Sequence, residues 1–394
     1  MPVEQQLRAV GAATGKLRLL GSYYFFFFIA FGALYTMLPL FLEGKGLSKQ
    51  QASSIMAVGP VVTVLFQPIW GMICDRYNAQ RKVLIGTLIA AATIGLIYSF
   101  GDTYLLYLVL FAGMALFHSS GVPILDSISL SYTQKHGGDY GSLRLWGAIG
   151  FAVASWGAGA IAEATDLSVI FYIYAAAMFV CIFLTNGLPQ ESTPLAGNML
   201  HGVKRLFFIP RYLLLMLSTF LVFGVIQANN ALYGFFYMAI GGTVAGVGLS
   251  FLIAAGSEAP VMRFAGKLIR RYGMIPVLII AATVSSMRWI FYGTEPSAVL
   301  VMWLLFMQGI SVGLYLPAAA QLVREVSPPE IQVTALGIYS AVGHGLGAMT
   351  WTMVGGVLAD KYDIFTTYQL LGIVSWLGVG VLVTLYFVNK RQRS

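Results

Sequence analysis

Four ionisable residues, Asp126, Arg144, Glu258 and Arg288, stand inside long apolar stretches of a 394-residue chain. Carboxylates and guanidiniums in such places can hold the polar groups of a ligand through charge-assisted hydrogen bonds, and a carboxylate can also take up and release a proton. At the centre of a bilayer each such group costs roughly 2.5–3.5 kcal/mol on insertion scales, so it must face a partner or a water-filled cavity. Of the 15 acidic residues only Asp126 and Glu258 are embedded in this way; the other 13 fall in polar stretches or at the ends of apolar ones. Spacing pairs the four. Asp126 and Arg144 each lie nine residues from Lys135, and Glu258 and Arg288 each lie fifteen from Gly273. In antiparallel helices rising ~1.5 Å per residue, equal separations from the turn give equal depth. Each pair admits two readings: a ligand or proton site, or an interhelical ion pair whose rupture costs about 3–5 kcal/mol.

The elements that must position these residues follow from composition. With 58% apolar and 10% charged residues and a mean hydropathy of +0.80, the chain cannot be a soluble domain. Apolar runs long enough to cross a core of about 30 Å as helices recur near 19–42, 49–73, 83–100, 104–132, 140–162, 168–188, 212–238, 244–268, 275–293, 297–323, 331–358 and 365–388. The expected fold is therefore an all-α integral membrane protein with twelve transmembrane helices. The longest polar interruption, 189–211, carries Pro189, Glu191, Ser192, Thr193, Pro194 and Gly197. It divides the chain into six-helix bundles at 1–188 and 212–394 joined by a linker, an arrangement common among secondary transporters. The first run is too long for a signal-peptide core and no small-residue cleavage site follows it, so it is expected to be retained.

Orientation is read from Lys and Arg, which accumulate in cytoplasmic loops. With the N-terminus inside, 17 of the 23 basic residues fall on the cytoplasmic side, three (Lys45, Lys49 and Lys361) outside, and three in or near the runs. Both termini are then cytoplasmic. The same bias accounts for the net charge of +8, with basic residues scattered rather than gathered in a patch, so no nucleic-acid partner is implied. Cys74 and Cys181 have no metal-ligand spacing around them and read as packing residues. No P-loop, nucleophile elbow, dinucleotide fingerprint or metal triad stands in any loop, and no enzyme activity or cofactor is expected.

The stretch after the second run reads Gly71-Met-Ile-Cys-Asp75-Arg76-Tyr-Asn-Ala-Gln-Arg81-Lys82. Its glycine permits close helix approach, while Asp75 can accept from helix N-terminal amides or arginines. This resembles the loop 2–3 signature of the major facilitator superfamily, G-x-x-x-D-R-x-G-R-R-[KR], with Asn78 near the expected glycine and one extra residue before Arg81. The resemblance implies a conformational gating motif at Gly71, Asp75, Arg76, Arg81 and Lys82. The stretch after the eighth run, Gly266-Lys-Leu-Ile-Arg270-Arg271-Tyr-Gly273, keeps the glycine and arginines without the acid.

A second segment, Tyr140-Gly-Ser-Leu-Arg144-Leu-Trp146-Gly-Ala-Ile-Gly150-Phe151, is similar to the Y-G-x-x-R-x-[WF]-G-x-x-G-[FW] segment of the superfamily branch that holds lactose permease, the nucleoside:proton symporters and the phenylpropionate permeases. The likeness extends over nearly the whole chain. It implies that Asp126 and Arg144 bind solute, that Glu258 joins binding to protonation, and that Arg288 modulates proton release. The sequence departs from lactose permease where that protein has a titrating pair in its tenth span, here Gln308 and Ser311, and where it has aspartates in its seventh, here Gln227-Ala-Asn229-Asn230-Ala-Leu-Tyr233. Its sugar-stacking tryptophan is replaced by Phe151. Galactoside specificity is not implied, and any coupling proton must ride on Glu258 or Asp126.

Further candidates for the solute site are Trp146 and Phe151, His118 on the Asp126 helix, and Gln227, Asn230 and Tyr233 as neutral hydrogen-bonding groups. The seventh-run amides read equally as interhelical polar contacts, while His118 reads first as a satisfied interhelical histidine and His344 among its glycines as close helix packing. Tyr23, Tyr24 and Phe25 to Phe28 read as an interfacial belt facing lipid, Arg263 as a snorkelling side chain, and Pro123, Pro260 and Pro317 as bends. The function expected is proton-coupled uptake of a small polar organic solute such as a sugar, nucleoside or aromatic acid by alternating access. Proton-antiport efflux of an amphipathic compound and a transporter-derived sensor are the alternatives. The expected partners are the solute, a proton and membrane lipid; the expected state is a monomer in a bacterial cell membrane.

Overall fold

The computed structural model describes residues 3–189 and 203–393, and all regular structure among them is helical. Residues 190–202, most of the expected linker, lie outside the described residues. Ten helices among the described residues are long and apolar enough to cross a membrane: Thr14–Gly44, Lys49–Tyr77, Gln80–Tyr98, Tyr104–His136, Tyr140–Ala164, Pro210–Ala239, Val244–Tyr272, Met274–Tyr292, Ala298–Val326 and Ile364–Arg391. Ten predicted runs coincide with these helices. Run 168–188 falls on the apolar helix Val169–Thr185, which is 17 residues long. Run 331–358 falls on a helical stretch built from Gln332–Ser340, a π-helical segment Ala341–Gly347, and Ala348–Lys361.

By contacts the chain forms two compact units, Met1–Met37 with Val62–Ala196, and Leu38–Val61 with Gly197–Ser394. The helices Val3–Gly44 and Lys49–Tyr77 are thus shared, each with one end in either unit.

Local sequence explains how the site-bearing helices start, bend and stop. The fourth long helix is interrupted at Ser119–Ser120, between Tyr104–His118 and Gly121–His136. Pro123 has no N–H for the carbonyl of Ser119 and its ring crowds that turn, so the interruption falls one turn before it. Asp139 starts the next helix: its carboxylate accepts from the amides of Gly141 (3.1 Å) and Ser142 (2.9 Å) and from the Ser142 hydroxyl (2.7 Å). These bonds hold its carboxyl below the usual aspartate range. Helix Lys49–Tyr77 stops at Asn78, whose φ of 48° lies in the left-handed region, and the amide of Ala79 returns to the carbonyl of Cys74 at 3.3 Å. That is a glycine-type helix stop made with asparagine, the next most tolerant residue, and it accounts for Asn78 standing where glycine was expected.

Glycines then set the closest helix approaches in each unit. A methyl group on Gly150 would lie 2.2 Å from the carbonyl oxygen of Phe25, and one on Gly32 would lie 2.3 Å from that of Phe151. Helices Val3–Gly44 and Tyr140–Ala164 therefore touch backbone to backbone. In the second unit the π-helical segment Ala341–Gly347 meets Gly224 in the same way, with a Gly224 methyl 2.7 Å from the Gly347 Cα.

The aromatic run of the first helix corrects an expectation. Tyr23, Tyr24 and Phe27 are buried in the protein rather than turned to lipid, with Tyr23 and Tyr24 fully inaccessible. The periodicity of a helix hidden on several sides is apolar all round, so such a run does not reveal which side is core. Cys74 and Cys181 are both buried.

Candidate functional site

In the first unit the close contact at Gly32 and Gly150 brings the first helix under the second turn of Tyr140–Ala164, where Arg144 sits. Tyr24 donates its hydroxyl to Asp126 Oδ1 at 2.5 Å. The Arg144 guanidinium carbon lies 4.7 Å from the centre of the Phe28 ring and 5.6 Å from that of Tyr24. The two charges are thus joined through a tyrosine that touches both. Tyr140 completes the group, its hydroxyl within electrostatic reach of both Asp126 and Arg144. Both charged side chains are half-buried, and Nη1 of Arg144 is enclosed with no acceptor. A guanidinium stacked on aromatic faces keeps its edge free for a ligand, and an enclosed donor without an acceptor is costly until one arrives.

The other first-unit candidates sit around this group. His118 is buried, stacked on Phe31 with ring centres 4.6 Å apart. Its two ring nitrogens meet tyrosine hydroxyls, Nδ1 with Tyr35 at 3.4 Å and Nε2 with Tyr174 at 2.7 Å, so it is an interhelical contact as placed. Trp146 stands edge-on to Phe25 at 6.3 Å and packs on Gly21, with half its surface exposed. Phe151 supplies the backbone carbonyl against which Gly32 packs. The aromatic partners of Arg144 come instead from Tyr24 and Phe28, which sequence reasoning assigned to the lipid belt.

In the second unit, Gly309 and Gly313 let helix Ala298–Val326 approach Val244–Tyr272, a Gly309 methyl falling 2.2 Å from the carbonyl oxygen of Ser257. Opposite that contact, Gln308 joins the predicted pair. Its amide nitrogen donates to Glu258 Oε1 at 3.3 Å, and its carbonyl oxygen accepts from Nη2 of Arg288. Arg288 is only 3% exposed, lies over the Trp289 ring at 4.4 Å and that of Tyr292 at 5.9 Å, and keeps Nε and Nη1 without acceptors. The position that departs from the family's titrating residue is therefore the one that links the two charges.

The seventh-run polar residues divide by contact. Tyr233 is buried and donates to Ser250 at 2.7 Å, and Asn229 accepts from Tyr368 at 2.7 Å; both serve interhelical bonds. Gln227 is half-buried and Asn230 exposed. In the sequence motif Gly71 is buried, Asp75 half-buried, and Arg76 exposed with its guanidinium carbon 5.7 Å from the ring of Tyr77. Arg81 donates to the carbonyl of Leu188 at 2.6 Å, and Lys82 is exposed; both line a cavity of about 550 Å³ with Asn78, Gln80 and Pro189.

Known proteins resemble this chain over most of its length. The model of the MFS_1 like family matches residues 17–370. A maltose permease of Geobacillus stearothermophilus is 38% identical over 386 residues, covering 98% of this chain and 97% of its own. An uncharacterised transporter of Bacillus subtilis strain 168, YwbF, is 34% identical over 377 residues, covering 95% and 94%. In fold, the crystal structure of the nucleoside transporter NupG is similar with a TM-score of 0.84 at 17% identity, covering 94% of this chain and 98% of that one.

Proposed function

The chain belongs to the MFS_1 like family of multi-span membrane transporters, and from that premise we propose that it imports a sugar of the disaccharide class together with a proton, by alternating access. The observation that carries the reading is the Tyr24-joined pair in the first unit: an acceptor, Asp126, and a guanidinium, Arg144, held beside aromatic faces. A sugar offers vicinal hydroxyls that donate to a carboxylate and accept from a guanidinium, and C–H faces that pack on aromatic rings. The 38% relative named for maltose supports a disaccharide over a nucleoside or an aromatic acid.

In this reading twelve helices span the membrane with both termini cytoplasmic, in bundles at 1–188 and 212–394, and the chain acts as a monomer. Glu258 carries the proton. Ionised, it is balanced by Arg288 through Gln308; protonated, it leaves Arg288 to the aromatic rings and the amide. Two protonation states with different charge balance give the differential interaction that a coupling ion needs to shift a conformational equilibrium. Gly71, Asp75, Arg76, Arg81 and Lys82 form the gating motif.

The test is uptake into proteoliposomes of a panel of disaccharides, monosaccharides, nucleosides and aromatic acids, with and without an imposed pH gradient. Accumulation of a disaccharide that depends on the gradient is the expected result. Accumulation indifferent to the gradient removes proton symport, and gradient-driven extrusion of amphipathic compounds with no sugar uptake establishes export instead.

A further inference from the structure

Of the two histidines inside apolar runs, His118 is satisfied and His344 is not. His118 is buried with both ring nitrogens on tyrosine hydroxyls. His344 is exposed, and among the described residues neither of its ring nitrogens makes a hydrogen bond. It stands midway along the run 331–358, at the centre of the bilayer on the twelve-span reading. An imidazole with uncommitted polar edges is costly against lipid tails, so it belongs on water or a ligand.

The local backbone explains how it is held open. His344 lies in the π-helical segment Ala341–Gly347, and the helix it packs on carries another, Thr219–Phe223, where the amide of Gly224 reaches back to the carbonyl of Thr219. Such segments recur at functional sites, and transporter ligands sit where helices become irregular near mid-membrane. Glycines make the contact between the two segments: a methyl on Gly343 would fall 2.8 Å from the Phe223 ring, and one on Gly347 2.9 Å from the Cα of Gly224. Trp351 adds to it by donating to the Phe220 carbonyl at 2.8 Å. The imidazole is left out of that packing. Its ring stands edge-on to Phe223, with centres 4.8 Å apart and planes at 68°, and Phe223 is in turn stacked on Tyr315 at 5.6 Å. Both of these aromatic residues are buried. His344 is thus oriented by a fixed aromatic base while its nitrogens stay uncommitted.

We propose that His344 is a solute-contacting residue of the second unit, a hydrogen-bonding subsite that takes one hydroxyl of the sugar, with Phe223 and Tyr315 as its positioning residues. An imidazole offers one N–H donor and one acceptor, the complement of a hydroxyl, which is both. Water fills those positions in the empty site, and a sugar hydroxyl that replaces it reproduces its hydrogen bonds. This rests on the sugar reading above and adds a contact that carries no carboxylate or guanidinium.

The test is acylation of histidine by diethyl pyrocarbonate in the purified full-length protein, read residue by residue by mass spectrometry. His344 is expected to react about tenfold faster than His118, whose ring nitrogens must first give up their hydrogen bonds. Saturating maltose should slow His344 severalfold and leave unchanged the exposed His136, at the end of helix Gly121–His136. His344→Leu should weaken maltose binding about tenfold. His344→Gln, which keeps a donor and an acceptor, should weaken it less, and both variants should melt as the wild type does. Maltose that binds and leaves His344 unprotected overturns the subsite, as does wild-type affinity in His344→Leu. An equal fall of melting temperature in both variants also overturns it, assigning His344 to packing. Failure of maltose to bind the wild type overturns the sugar reading itself, a result distinct from the others.

Discussion

Tyr24 donates its hydroxyl to Asp126 at 2.5 Å across 102 residues of sequence. The same ring lies beside the guanidinium of Arg144, so one side chain fixes the carboxylate and flanks the cation. Two charges set this way present a ligand with an acceptor, Asp126, and a donor, Arg144, on either side of one ring.

Tyr24→Phe keeps the ring under Arg144 and removes the donor to Asp126. Losing one hydrogen bond to a charged group costs roughly 1.5–3 kcal/mol, and part of that is expected to appear as about tenfold weaker solute binding, measured by titration calorimetry on the purified protein. The melting temperature should fall less than in Tyr24→Ala, which also takes away the ring.

Arg144→Lys keeps the charge but loses the planar fork that can lie flat on Phe28 and still offer an edge to a ligand. Solute affinity is expected to drop by about tenfold or more. Affinity equal to the wild type would show that charge alone suffices at this position.

Gln308→Leu preserves volume and cuts the link between Glu258 and Arg288. Solute exchange between preloaded vesicles and medium should persist, while accumulation driven by a pH gradient falls severalfold or more. Glu258→Gln should give the same split between exchange and accumulation. Loss of both activities in either variant would place these residues in solute binding instead.

Gly150→Ala forces a methyl against the Phe25 carbonyl, and the neighbouring backbone cannot yield without separating the two helices. A destabilisation of about 1–3 kcal/mol is expected from such overpacking, read as a lower melting temperature in detergent together with weakened solute binding.

Asn78→Gly should be neutral or mildly stabilising, whereas Asn78→Val puts a β-branched residue at φ 48°. The cost of that conformation is roughly 1–2 kcal/mol. Thermal unfolding of the two variants side by side checks the asymmetry.

The parts of this arrangement that could be read from sequence are those where burial is expensive. Asp126, Arg144, Glu258 and Arg288 announced themselves because charges in apolar runs must be explained, and equal spacing from Lys135 and Gly273 paired them. Pro123 carries its consequence with it in part: the helix breaks one turn before it, whereas Pro260 and Pro317 lie inside unbroken helices. Tyr24 could not be seen the same way. A tyrosine among phenylalanines suits a lipid belt as well as a packed core, and only its partner distinguishes the two. Gln308 does not titrate, and sequence alone does not reveal that its amide donates to a carboxylate and accepts from a guanidinium at once.

The central claim is that the Tyr24-joined pair holds the solute, and the most direct measurement is equilibrium binding of maltose to purified wild-type protein, Asp126→Asn and Arg144→Ala, each brought to the same concentration of folded protein. The account predicts saturable binding in the wild type and loss of binding in both variants with yield and melting behaviour retained. Wild-type affinity in either variant would contradict it and return Asp126 and Arg144 to a role in helix packing.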